Sequence, residues 1–387
     1  MTDASAENSL IYMDHAATTP MLPEAREAML PYMEDLFGNP SAVYRFAGKS
    51  ARAVADARAK IAAKIGALPE EIFFTSGGSE SDNWAVFSAC EERGFKDCHV
   101  ITTQIEHHAI IEVCKRLEKL GTTVTYLPVS EEGLVDPALV EKHVRPETVI
   151  ISVMMANNEI GTIQPVEEIG RIAREKGILF HTDAVQAFGH IKVDVGRMNI
   201  DLMSASAHKL GGPKGVGLLY VRKGLNITPF ISGGSQERGK RAGTLNAPGI
   251  VGFGEAASIS CERMDLESAE VVHMRDHMIS RILTELPGTK LNGHPSKRLP
   301  GNVNISFEGI EGETALIMLD RAGICVSSGS ACSSGALDPS HVLLAIGRSR
   351  DEARSAIRFT LAASNRMYEI DAVIDKLEEI IGRLRGI

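Results

Sequence analysis

Three short segments of the 387-residue chain carry residue types that could do chemistry. The first is Phe74-Thr-Ser-Gly-Gly78-Ser79-Glu-Ser81, between an apolar run and a helical pattern. Small residues there let backbone N–H groups close on an anion, and a helix N-terminus adds positive potential. The same letters also suit an ordinary N-cap, with Ser79 or Ser81 capping and Glu80 in the first turn. The second is Phe180-His-Thr-Asp183-Ala-Val-Gln186, an almost wholly apolar run that ends on an acid. The C-terminal end of a buried strand is where open α/β sheets bind ligands. A carboxylate there could hold the protonated ring nitrogen of a pyridoxal and keep the ring an electron sink; a turn-forming Asp is the plainer alternative. The third is Ser204-Ala-Ser206-Ala-His208-Lys209-Leu-Gly-Gly-Pro. A lysine just after a strand can form a Schiff base with an aldehyde cofactor, with Ser206 and His208 toward its phosphate. A surface lysine before a Gly/Pro turn is the commoner fate, and Lys214 fits it.

The six cysteines, Cys90, Cys98, Cys114, Cys261, Cys325 and Cys332, include no CxxC pair, so neither a zinc finger nor a redox dithiol is signalled. Five sit in strand or helix patterns and read as small core residues. Cys332 differs. It lies in Ser327-Ser-Gly-Ser-Ala-Cys332-Ser-Ser-Gly-Ala336, nearly all small residues, a composition that predicts a mobile loop. Such a loop suits a thiol that must visit one place and deliver to another. His107-His108 follows a strand, but adjacent histidines seldom converge on one ion without further ligands. No metal is assigned, and His108 reads as a helix-start residue.

Strands are expected at 71–75, 99–103, 124–127, 149–155, 178–181, 201–204 and 216–221, with helices at 79–92, 108–120 and 166–176. Strands alternating with helices predict a mostly parallel sheet covered on both faces. After about Gly254 the pattern changes to a long helix at 256–286, a strand at 302–306, a helix at 313–322, a strand at 357–361 and a closing helix from Glu369. The expected fold class is α/β: a segment 1–20 packing on both parts, a large α/β domain over 21–254 and a smaller α+β domain over 255–387.

Hydrophobic residues make up 44% and charged residues 24%, which places the chain among globular proteins with a sizeable core. A net charge of −9 argues against nucleic acid as a main partner. The one basic cluster, Arg238, Lys240 and Arg241, reads as a solvated loop or an anion contact. The start of the chain lacks a basic, apolar leader, and no stretch approaches the ~20 apolar residues of a membrane span. With its thiols free, the chain is expected in a reducing cytoplasm.

Taken together, the segments resemble the cysteine desulfurases, fold-type I pyridoxal-phosphate enzymes of the class V aminotransferase family. The resemblance runs over nearly the whole chain. It includes Tyr12-Met-Asp-His-Ala-Ala-Thr-Thr-Pro20, Gly38-Asn-Pro-Ser41, Glu106-His107-His and Ala156-Asn157-Asn-Glu-Ile-Gly161. It continues in Gln236-Glu-Arg-Gly-Lys-Arg-Ala-Gly-Thr244, the cysteine loop and Arg358. The resemblance implies pyridoxal 5'-phosphate joined to Lys209, with Asp183 on the pyridinium and Gln186 on the ring hydroxyl. Gly78, Ser79, Ser206 and His208 would hold the phosphate, and His107 would stack on the ring and move protons. Asn157 and Arg358 would hold the substrate carboxylate, Arg358 as a two-pronged clamp. Thr244 would reach the phosphate of a neighbouring subunit, implying a homodimer. The implied reaction moves the sulfur of L-cysteine onto Cys332 as a persulfide, releases L-alanine and supplies a sulfur-accepting scaffold for iron–sulfur cluster assembly.

Two features depart from the family's usual pattern: the wording Ala362-Ala-Ser-Asn-Arg366, and a chain that ends at Ile387, where many relatives carry a longer tail that docks the scaffold. A selenocysteine lyase or an aminotransferase on the same fold is the alternative, although a plain aminotransferase needs no such thiol. A nucleotide-binding reading of Gly234-Ser-Gln-Glu-Arg-Gly239-Lys240 fails at Arg241, where Ser or Thr should ligate magnesium. A non-catalytic cluster carrier would need neither Lys209 nor Asp183.

Overall fold

The computed structural model describes residues 10–328 and 338–386; Cys332 and the first nine residues lie outside this range. Among the described residues a seven-stranded sheet forms the centre. Its order across the sheet is Ile72–Thr75, Gly217–Val221, Leu202–Ser206, Leu179–Asp183, Thr148–Ser152, His99–Thr103 and Thr123–Leu127. Gly217–Val221 runs opposite to the other six strands of this sheet. Strands such as Thr148–Ser152 are buried at every position, which is why they read as continuous apolar runs rather than alternating ones. The helices Gly78–Glu91, His108–Leu120 and Val166–Lys176 connect these strands. Because the six co-directional strands end on one edge, Thr75, Thr103, Ser152, Asp183 and Ser206 are brought to the same side of the sheet.

A second, antiparallel sheet joins Ala356–Thr360, Asn302–Phe307 and Thr289–Leu291. The helix Met367–Arg385 covers it with Ile370, Val373, Ile374 and Leu377, in a core shared with Val303, Ile305 and Phe359. The boundary expected at 254 falls inside one helix, Ala247–Glu285. Its first part, with Ile250, Phe253 and Ala257, belongs to the core of the large sheet. Its later part, with Val271, Met274 and Ile282, belongs to the core of the small one.

The segment after residue 9 straps the two parts together. Ile11–Tyr12 pairs in parallel with Ile324–Cys325, Met13 is buried in the small core, and Thr19 N–H donates to the His208 carbonyl at 3.0 Å. The basic cluster is tied to the fold by hydrogen bonds, although Arg238 stays exposed. Arg238 donates to the Ile72 carbonyl, Lys240 to that of Ile227, and Arg241 to the Glu80 carboxylate. No helix among the described residues is long and apolar enough to cross a membrane.

Candidate active site

A cavity of about 650 Å³ opens at the carboxyl edge of the large sheet, where the strap, both sheets and the helix starts meet. Ser206 closes the strand Leu202–Ser206, and the turn Ala207–Lys209 follows at once, so His208 and Lys209 arrive at the wall directly from the sheet. Lys209 Nζ donates to the Ala16 and Ala17 carbonyls at 2.6 and 2.8 Å. His208 Nδ1 lies 3.2 Å from Thr18 Oγ1. Asp183 ends its strand, and its Oδ1 accepts from Val185 N–H at 2.8 Å. Gln186 donates to the Ala16 carbonyl at 2.9 Å, which leaves Oε1 and one N–H for a ligand.

The helix Gly78–Glu91 begins at the same rim; Ser81 N–H donates back to the Gly77 carbonyl, while the amides of Gly78, Ser79 and Glu80 open the helix. A Cβ at Gly78 would stand 2.6 Å from Val185 Cγ2, so only glycine lets the helix start approach the Asp183–Val185 turn this closely. His107 caps the helix His108–Leu120, its Nδ1 accepting from Ala109 N–H at 3.1 Å. Nδ1 is thereby an acceptor, and Nε2 is the nitrogen that carries or exchanges a proton.

Arg358 comes from the small sheet. Its Nη1 donates to the Asn158 carbonyl at 2.9 Å and its Nη2 to Asp14 Oδ1 at 2.8 Å. Its backbone exchanges two hydrogen bonds with Ser327, at 2.7 and 3.1 Å, which fixes the root of the chain that leads to Cys332.

Burial raises the Asp183 carboxyl, while His107, the Val185 amide and Lys209 pull it back. Burial lowers the His107 ring against the pull of Asp183, and Lys209 lowers it further. His208 falls to about 4 through burial and Lys209, so the ring is neutral. Burial pushes Glu106 up to about 8 although Thr103 Oγ1 and Met154 N–H donate to it. Burial likewise raises Glu159 to about 7, against a hydrogen bond from Ser340 and the charge of Arg358. One donor atom each from Asp82, His107 and Asp183 lies within 4.8 Å of the others. The Lys209 charge bears on the same cavity and opposes a cation there.

Of the residues expected at the site, Gly78, Ser79, His107, Asp183, Gln186, Ser206, His208, Lys209 and Arg358 line this cavity. Asn157 does not. Its Oδ1 accepts from Glu159 and Ile160 N–H and its Nδ2 donates to the Ile105 carbonyl, while its neighbour Asn158 reaches the wall. Thr244 is exposed and does not line it. Asp82, Glu106, Glu159 and His341 also line the cavity and were not singled out from sequence. For Asp82 the signal is its place one helical turn after Gly78. The five described cysteines are free, and burial is the first cause that raises each thiol, Cys90 to about 12 and Cys261 to about 11.

Residues 11–373 match the family described as aminotransferase class-V. A cysteine desulfurase IscS of Clostridium botulinum is 51% identical over 98% of this chain and 96% of its own length. One from Methanosarcina thermophila is 48% identical over 99% and 95%. A solved NifS-like protein superposes with a TM-score of 0.91 at 38% identity, covering 97% of this chain and all of that one. A structure described as SspA in complex with cysteine does so with a TM-score of 0.82 at 39% identity, covering 92% and 100%. The chain belongs to the class-V aminotransferase family, among its cysteine desulfurases.

Proposed function

We propose that this protein takes the sulfur from L-cysteine with pyridoxal 5'-phosphate, leaves L-alanine and a persulfide on Cys332, and passes that sulfur to an iron–sulfur scaffold. The observation that carries the reading is the meeting of Lys209, Asp183, His107 and Arg358 on one cavity. The donor set fits the cofactor: a lysine for its aldehyde, a buried carboxylate for its ring nitrogen, and a glycine-gated helix start with Ser79, Ser206 and His208 for its phosphate.

When bound, the cofactor's protonated ring accepts negative charge from the substrate's α-carbon. Asp183 supplies the counter-charge, held in place by the Val185 amide. His107 would pack on the ring of the bound cofactor, and its Nε2 would take or return a proton. Each Nη of Arg358 keeps a second N–H, so a substrate carboxylate can be held without displacing Asp14 or the Asn158 carbonyl. A free thiol titrates at roughly 8.5, so Cys332 must lose its proton to act. As thiolate it attacks the substrate sulfur, so an S–S bond forms as the C–S bond breaks, and the remaining three-carbon unit gains protons and leaves as alanine.

Thr244, exposed in the single chain, fits a role across a homodimer interface. Asn157 fits as a support that positions Asn158 rather than as a ligand. We retain 1–20, 21–254 and 255–387 as the functional division, and a reducing cytoplasm as the setting, which free thiols favour. The test is direct: cysteine in, with alanine and sulfide measured together under a reductant. Selenocysteine turned over while cysteine is not would favour the lyase alternative.

A further inference from the structure

We propose that Asp82 is a positioning residue that holds a proton beside Asp183, so that the negative charge of this carboxyl pair rests on Asp183. The inference builds on the cofactor reading above and adds a residue to it. Asp82 follows Gly78 by one turn of helix and is 1% exposed. Its carboxyl lines the cavity, with an oxygen within 4.8 Å of donor atoms on Asp183 and His107. Oδ1 accepts no hydrogen bond among the described residues. An ionised carboxylate with a buried, undonated oxygen is costly, and two carboxylates this close do not both ionise.

The surroundings decide which of the two keeps the proton. Asp183 receives the Val185 amide and the favourable charges of His107 and Lys209. Asp82 faces Asp183, whose charge opposes its own, and only the Ser204 hydroxyl favours the ionised form. His181 Nε2 lies 3.7 Å from Asp82 Oδ1. Both ring nitrogens of His181 sit at serine hydroxyls, Ser152 and Ser204, and burial drops the ring to about 3. His181 is therefore neutral and supplies no counter-charge to Asp82. A neutral Asp82 leaves Asp183 as the anion that a protonated ring nitrogen needs.

The experiment is infrared spectroscopy of the full-length, cofactor-loaded enzyme with 13C-carboxyl aspartate near neutral pH. The expected result is an isotope-shifted band of a protonated aspartic acid, absent from Asp82→Asn and retained in Glu106→Gln. Asp82→Asn should keep pyridoxal-phosphate affinity within about threefold, while Asp183→Asn should lose at least about tenfold, or ~1.4 kcal/mol. Asp82→Ser serves if the amide variant does not fold. No labelled band in the wild type, a band that survives substitution of Asp82, or an affinity loss in Asp82→Asn equal to that in Asp183→Asn would overturn the assignment. Wild-type protein that binds no pyridoxal phosphate would remove the functional reading as well; the other failures remove this inference alone.

Discussion

Arg358 Nη2 donates to Asp14 Oδ1 at 2.8 Å, an ion pair that ties the small sheet to the N-terminal strap at the mouth of the cavity. Arg358 is 4% exposed and its Nε has no partner among the described residues. The guanidinium is therefore oriented before any substrate carboxylate arrives. Arg358→Lys keeps the charge and loses the planar fork. We expect KM for cysteine to rise by roughly tenfold or more, with a smaller fall in kcat, as for a binding contact. Steady-state kinetics at saturating cofactor checks this.

Lys209→Ala should remove the yellow colour and lower turnover by roughly three orders of magnitude or more, the scale of losing a covalent catalyst. Borohydride treatment followed by peptide mass mapping should find the cofactor on Lys209 in the wild type. A trapped adduct on another lysine would contradict the assignment.

Gly78→Ala should push Val185 and with it the turn that holds Asp183, because the new Cβ would stand 2.6 Å from Val185 Cγ2. Cofactor affinity should fall by about tenfold, within the 1–3 kcal/mol typical of overpacking. Val185→Ala in the same chain should restore most of it. Spectroscopic titration of the single and double variants measures the recovery.

Glu106 makes stability depend on pH with a definite sign. Its folded value of about 8 lies above the ordinary value of 4.5, so the native state binds the extra proton between these limits. Stability from this group is complete below about pH 4.5 and declines as pH rises toward 8, by up to ~1.4 kcal/mol per unit. Glu106→Gln keeps an acceptor for Thr103 and Met154 and removes the titration. Thermal melts should show the variant gaining on the wild type steadily across that window.

Cys332→Ser should separate colour from sulfur transfer. The cavity residues are untouched, so the protein should stay yellow and bind cysteine. A hydroxyl is a far weaker nucleophile toward sulfur than a thiolate, so sulfide release should nearly vanish. Mass spectrometry of the wild type after brief exposure to cysteine should find one added sulfur on the Cys332 peptide. Sulfur on Cys325 instead would overturn the mechanism.

Where burial and pairing coincide, the elements were legible in the sequence: His99–Thr103 and the helices His108–Leu120 and Val166–Lys176 lie where expected. The strand expected over 149–155 is regular only to Ser152: Val153 and Met155 N–H still donate to the His181 and Asp183 carbonyls, but Met154 N–H turns to the Glu106 carboxylate. The helix Pro23–Met33 escaped notice with Pro31 inside it, and Ala247–Glu285 starts nine residues early across Pro248 and three glycines. Lys209, Asp183 and His107 stand at element ends, where a motif can point to them. Glu106 gains meaning only from what folds against it, and the helical spacing of Asp82 from Gly78 places it near the site without showing that Asp183 faces it.

The helix Ala247–Glu285 sets how the molecule comes apart. It spans 39 residues, and near its start Gly254 passes so close to the Ala47–Lys64 helix that a Cβ would stand 2.7 Å from Ala57 Cβ. Its far half is held by Ile370, Ile374 and their neighbours. Melting either core strips half the helix of its partners, and most of a helix's stability in a protein comes from packing its face. The two sheets thus share one cooperative unit, and a local breach at either end reaches the cavity that lies between them.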